Sequence, residues 1–327
     1  MPSPNSLISN AILRMAKILP FRFLYNRHGN LIVAPYYHAV SDQPLPHIRH
    51  LYRVKNVREF ESDLDFLLKF YQPIDFHDYV RMLENPAKVK GKTPFLLSFD
   101  DGLREFYDTI APVLLHKGIP AICFLNSAFI DNKALFFRYK ASLLIEKHGS
   151  NIDETTRQEI LAVRYADKEQ LDAMALELGL DFGAFLETEK PYLSSDQIEE
   201  LIKKGFHFGA HSIDHPEYRF LSLQEQLVQT TKSVELVSNQ FGLGYRLFSF
   251  PFTDYGVSKA FFDFVLQDKK VADLSFGCAG LKRDINPRHI QRIAMEQNKL
   301  SAEEILRREI FYFWLKIPFG KNRIHRK

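Results

Sequence analysis

The chain has 327 residues, of which 46% are hydrophobic and 25% charged, a balance that describes a folded protein with a sizeable core and excludes disorder over most of its length. Its formal net charge of +3 is too small to argue for nucleic acid, and no basic-aromatic repeat accompanies it. Cys123 and Cys278 are the only cysteines, too few for a disulfide scaffold and too far apart for a metal knuckle, so a reduced compartment, the cytoplasm, is the simplest expectation.

At the N-terminus, residues 5–18 place Leu7, Ile8, Ile12, Leu13, Met15 and Ala16 at helical spacing before Pro20. Arg14 and Lys17 interrupt this stretch, which makes it a poor signal peptide, and no apolar run in the chain is long enough to span a bilayer. Leu31 to His38 reads as a first strand ending in a histidine, with Pro35 arguing for an edge position or an irregular end. Residues 57–70 form an amphipathic helix, and a second helix over about 77–84 leads to the apolar strand Phe95 to Phe99. A helix over about 105–117 closes at Gly118, and Pro120 to Leu125 is the next buried strand, so strand, helix and strand imply a parallel crossover.

From about 129 to 196 the pattern becomes helical and acidic, with breaks at Gly149 and Gly179, and it reads as an insertion resting on the core. A capped helix from Ser194 to Gly205, a strand Phe206 to His211, a helix 222–240, a strand 245–250, a helix 257–267 and a strand 270–276 follow. Six strand-helix units favour a barrel of parallel strands over an open sheet. The expected organisation is a basic N-terminal segment 1–30, a barrel 31–293 that includes the insertion, and a C-terminal helix with a basic tail 294–327.

The chemistry concentrates at two strand ends. In Ser98-Phe99-Asp100-Asp101-Gly102 successive side chains leave an extended backbone in opposite directions, so one carboxylate can hold a metal ion while the other reaches its water. Taken alone, the same residues also read as a polar Asp-Gly turn. In His211-Ser212-Ile213-Asp214-His215-Pro216 the histidines are four apart, on one face if the segment is a helical turn, at a spacing that lets two imidazoles share one ion. Two histidines and a carboxylate leave open positions, which is the mark of a catalytic rather than a structural metal site.

These motifs resemble those of the polysaccharide deacetylases, over roughly 31–128 and 194–293. The resemblance implies a distorted (β/α) barrel, Asp100 as catalytic base, Asp101, His211 and His215 as ligands of a divalent metal, zinc first, and an N-acetylated glycan as substrate. Departures are visible. Ser98 replaces the usual Thr, and the third motif, normally Arg-x-Pro-aromatic-Gly, here reads Ser249-Phe250-Pro251-Phe252. Pro251 and Phe252 keep the pair whose backbone assists the oxyanion in relatives, but the arginine that orients the base is absent, leaving Arg292 or Arg246 as replacements. The fourth motif is not recognisable over Asp273 to Gly277.

The general acid is expected to be His38. Relatives carry it late in the domain, where this chain offers only His289 and His325, neither in a strand-like setting, whereas the strand ending at His38 resembles the permuted order of the biofilm poly-N-acetylglucosamine deacetylases. The reading is thus a metal-dependent hydrolase of N-acetyl groups. A small amide or imide hydrolase of the same fold and a catalytically weak glycan-binding protein are the alternatives. The basic ends, with Phe311 to Ile317 before the last of them, offer a peripheral contact to the inner face of an anionic membrane, with packing of that segment in the core as the competing reading.

Overall fold

The computed structural model describes residues 12–26, 31–85, 91–149, 152–297 and 299–326. Leu97, Ser98 and Phe99 are all buried, as are all five residues of Ala121–Leu125, because both faces of these strands are covered. They belong to one parallel sheet of eight short strands: β1 (Pro35–Tyr37), β2 (Leu97–Phe99), β3 (Ala121–Leu125), β4 (His207–Ala210), β5 (Leu247–Ser249), β6 (Leu274–Gly277), β7 (His289–Gln291) and β8 (Ile293–Ala294). The spatial order is β7-β6-β5-β4-β3-β2-β1-β8.

The two edges of this order are halves of one extended run. His289 to Gln291 pairs with β6, Ile293 and Ala294 continue onto β1, and only Arg292 separates them. The Arg292 N–H still donates to Gly277 of β6, while the next amide, Ile293, donates to Ala34 on the other side. One run of chain therefore closes the sheet into a distorted (β/α) barrel, with strand C-termini gathered at one mouth.

Three expectations are corrected here. Pro35 does not mark an edge: β1 lies between β8 and β2, and the proline opens the strand at its first position, where a missing donor is tolerated. The segment 289–294, not predicted as a strand, is the closing one, and His289 stands at its start. The helix expected over 257–267 is an α-turn, Lys259–Asp263, that widens into a π-turn, Phe264–Asp268.

Helix α1 (Val57–Phe70) packs on the barrel through Phe60, Leu64 and Leu67, at the i, i+4, i+7 spacing of one face, each worth about 1.5–3 kcal/mol when fully buried. Asn56 and Glu59 form its capping box. Its buried Asp63 accepts from Lys55, Tyr37 and the N–H of Ala302, tying α1 to β1 and to the last long helix.

Four helices fill the region after β3: α2 (Phe137–His148), α3 (Glu154–Ala162), α4 (Glu169–Glu177) and α5 (Phe182–Glu189). They form a separate apolar cluster around Phe136, Tyr139, Leu144, Ile160 and Leu171, which also takes in Ile48 and Leu103 from the barrel mouth. The C-terminal helix α6 (Ala302–Lys316) buries Ile305, Leu306, Ile310 and Phe313 and leaves Tyr312 and Leu315 exposed. Residues 12–18 are helical and lie beside it, with Arg307 donating to Leu19 O; the predicted residues 5–11 fall outside the described residues. Arg326, one of the basic tail residues, is buried between Asp254 and Asp284 at 2.5 and 2.6 Å. Among the described residues no helix is long and apolar enough to cross a membrane.

Candidate active site

The barrel mouth holds a cavity of about 490 Å³, lined by Asp100, Asp101, His211, His215, His38 and Arg292 among others. Asp100 and Asp101 reach it because β2 ends there and the chain turns at once. Asp101 has φ of 71° and Gly102 φ of 65°, and a Cβ at Gly102 would lie 2.7 Å from Leu125 Cδ2, so the turn against β3 favours glycine.

The histidines come together differently from the helical turn that their spacing suggested. Residues 211–216 form a loop, with φ of 69° at Ser212 and 64° at His215, and this reversal brings the two rings to 4.8 Å. Phe252 adds a fourth left-handed non-glycine residue, φ 55°, with its ring 4.6 Å from that of His215. Such conformations are unfavourable for side chains with a Cβ, and their concentration around one cavity is typical of a functional site.

Asp101 Oδ1 lies 3.6 Å from His211 Nε2 and 3.2 Å from His215 Nε2. The donor atoms of the three residues all fall within 4.8 Å of one another. His211 Nδ1 donates to Ser249 O at 2.9 Å, which leaves its Nε2 lone pair facing the carboxylate. Burial drives the His211 pKa down to about 4, so this imidazole is neutral. Asp101 Oδ1 has no hydrogen-bond partner although it is buried. A neutral imidazole lone pair facing a buried carboxylate oxygen that has no donor of its own fits a divalent cation held between them.

A second trio, Asp254, Asp284 and His289, is equally close, but there the Arg326 guanidinium already supplies the positive charge. His289 is fully engaged, with Nδ1 on Ser275 Oγ at 2.7 Å and Nε2 on Asp254 at 3.1 Å, and it does not line the cavity.

Asp100 faces Arg292. The guanidinium donates to both carboxylate oxygens, at 2.7 and 2.8 Å, and also to Ser98 Oγ, Ser249 Oγ and Gly277 O. Burial works to raise the Asp100 pKa, but the Arg292 guanidinium outweighs it and holds the carboxyl below its usual range. Arg292 thus comes from the closing run, while Ser249, where the family pattern has arginine, accepts one of its bonds. Arg246 is on the surface.

His38, at the end of β1, meets a residue that the sequence reading missed. Glu296 Oε2 lies 2.5 Å from His38 Nδ1, and Glu296 Oε1 accepts the N–H groups of His38 and Ala39. Burial opposes a charge on the imidazole, but Glu296 overrides it and pushes the His38 pKa up to about 9. A signal for Glu296 existed. In an extended chain residues 292, 294 and 296 share one side, and the ladder does continue, with Met295 N donating to Tyr36 O.

No curated protein sequence matches this chain. Among solved structures it is similar to the Streptococcus pyogenes deacetylase PplD in complex with acetate, at 15% identity and a TM-score of 0.57 over 85% of this chain and 98% of that one. It is similar to IcaB from Ammonifex degensii, at 18% identity and 0.55 over 85% and 96%. The de-N-acetylase from Aggregatibacter actinomycetemcomitans matches at 15% and 0.53 over 80% and 94%. At these identities the likeness establishes the shared fold. The family model for polysaccharide deacetylase, by contrast, matches the sequence itself over residues 87–261, more than half of the chain, and on that basis the chain belongs to the polysaccharide deacetylase family, hydrolases that act on carbon–nitrogen bonds of N-acetyl groups.

Proposed function

We propose that the chain is a metal-dependent deacetylase that hydrolyses the N-acetyl group of amino sugars in a polysaccharide or glycoconjugate. The observation that carries this reading is a pair of proton-handling groups, their pKa values driven in opposite directions, that line the same cavity as the donor triangle. Asp100 is held ionised by Arg292, and His38 is held protonated by Glu296. A base and an acid with separated pKa values beside a candidate metal site are what amide hydrolysis requires.

Asp101, His211 and His215 are the residues that would hold the ion. The chemistry such an ion supplies is polarisation of the amide carbonyl and acidification of water. Asp100 takes the proton of the attacking water, with its carboxylate oriented by the Arg292 fork. The carbonyl carbon gains the water oxygen, and the oxyanion that forms is assigned to the backbone at Pro251–Phe252, the loop beside His215. As the carbon–nitrogen bond breaks, His38 gives its proton to the departing nitrogen, leaving acetate and a free amine. Glu296 holds Nδ1, so Nε2 is the His38 atom left to deliver it.

The cavity suits a sugar, with Leu51, Tyr52, Phe136 and Phe252 offering apolar surface and Arg138 and Glu217 offering polar groups. The test is acetate release by the zinc-loaded protein from N-acetylglucosamine oligomers, run beside small cyclic amides. Release of acetate with matching free amine supports the reading. Turnover of the cyclic amides alone replaces the substrate class, and turnover of neither overturns the assignment.

A further inference from the structure

Nothing in the reaction assigns a role to the helices that follow β3, yet two of their side-chain groups reach the loops that carry the candidate metal ligands. The first is Tyr139 on α2. Its hydroxyl donates to Asp101 Oδ2 at 2.8 Å, and both residues are buried. That bond occupies one carboxylate oxygen and turns the other, Oδ1, toward His211 and His215. Tyr139 is itself fixed. Its ring packs edge-on against Phe136 and stacks with Tyr192, at 5.0 and 6.2 Å, and its oxygen lies 3.5 Å from that of Tyr52.

The second group holds the histidine loop. Asp214, between the two histidines, accepts from Tyr165 Oη at 2.8 and 2.7 Å, from Lys168 Nζ at 2.7 Å and from Gln229 Nε2 at 2.9 Å. Tyr165 and Lys168 lie in the link between α3 and α4, so both tethers originate in one apolar cluster. Phe136 adds a face to the same loop, with its ring 4.3 Å from His215.

These contacts fall where the backbone needs outside support. Asp101, Ser212 and His215 all have left-handed φ, a conformation that costs energy locally and persists only if its surroundings impose it. Partners of this kind, one step out from a metal ligand, set the ligand's direction and hence its affinity.

We propose that the helical insertion is part of the metal site: Tyr139 and the Tyr165–Lys168 pair are positioning residues that aim Asp101 and the His211–His215 loop, so that ion binding and the ordering of the insertion are coupled. This rests on the reading of Asp101, His211 and His215 as metal ligands, and the experiment separates the two.

Zinc affinity is measured by competition with a chromophoric chelator for the wild type, Tyr139→Phe and the double variant Tyr165→Phe/Lys168→Met, with thermal melts of the metal-free proteins alongside. Tyr139→Phe is expected to bind zinc about 10- to 100-fold more weakly while remaining folded. The double variant is expected to lose only a few-fold, since Gln229 still holds Asp214. Hydrogen exchange of the wild type provides the reciprocal readout, because a ligand that binds the ordered form must stabilise it: zinc should slow exchange over 137–148 and 165–177. If the wild type binds no divalent ion, the metal reading falls and this inference falls with it. If the wild type binds zinc, Tyr139→Phe binds it equally well and exchange in the insertion is indifferent to zinc, the inference alone is overturned. Should Tyr139→Phe not fold, the exchange measurement on the wild type decides.

Discussion

Replacing Glu296 by Gln probes the acid through its partner and leaves every reacting group in place. Gln keeps the shape and one carbonyl oxygen, so the N–H groups of His38 and Ala39 retain an acceptor, while the negative charge 2.5 Å from His38 Nδ1 disappears. Without that charge, burial is the dominant influence on the imidazole, and its pKa falls from about 9 to its ordinary value of 6.5 or below. At pH 8 about nine-tenths of the wild-type His38 is protonated, against about 3% in the variant, so kcat should fall about 30-fold there and less than twofold at pH 6. The falling alkaline limb of the kcat profile should move down by about 2.5 pH units. Stability follows the same linkage. A folded-state pKa raised above the unfolded value adds stability that is complete below about pH 6.5 and disappears as pH rises through about 9, so the melting difference between wild type and Glu296→Gln should be largest near pH 6, no more than about 3 kcal/mol, and vanish above pH 9. The assay is acetate release over pH 5.5–9.5 with parallel calorimetry. An alkaline limb that does not move would show that His38 is not the group that must be protonated.

Asp100→Asn should keep zinc content and lose turnover at least about a hundredfold, because the amide cannot accept the proton; acetate release and metal analysis check it, and full activity would remove the base assignment. Arg292→Met leaves Asp100 buried without its cation, at a cost of about 3–5 kcal/mol. With an unfolding entropy near 0.7 kcal/mol/K for 327 residues, that is a melting temperature lower by about 4–7 °C, and a loss under 1 °C would contradict the buried pair. Gly102→Ala combines a left-handed φ with a Cβ at 2.7 Å from Leu125 and should destabilise by about 1–3 kcal/mol; calorimetry that matches the wild type would refute the close approach.

The parts of the site that were legible in the sequence are those whose chemistry is local. Two adjacent carboxylates at the end of an apolar strand, and histidines four apart, declare themselves by spacing. The geometry joining them did not, since the left-handed residues at Ser212 and His215 leave no mark on residue type and a helical turn was the natural expectation. The barrel was legible from its buried strands, but its closing run was not. His289-Ile290-Gln291-Arg292 is polar enough to pass for a loop, and it forms a strand because each polar side chain finds a buried partner: Ser275 and Asp254 for His289, Asp254 for Gln291, Asp100 for Arg292. Which arginine faces Asp100 and which acid faces His38 depend on contacts 192 and 258 positions apart in the chain, beyond the reach of any pattern in a short window.

The closing run also dictates when the site comes into being. Arg292 and Glu296 lie on the one segment that pairs with both the penultimate and the first element of the ring, so neither can reach its partner until almost the whole chain is available. During synthesis Asp100 and His38 emerge early and wait without counter-charges while the ribosome makes the 192 and 258 further residues that separate them from Arg292 and Glu296. Loop closure over such separations is slow, and sheets built from distant segments expose their edges meanwhile. Recovery of activity in a refolding experiment should therefore track the last kinetic phase, lagging behind the return of helical signal, and a nascent chain released before residue 289 would carry both of its proton-transfer groups and be able to use neither.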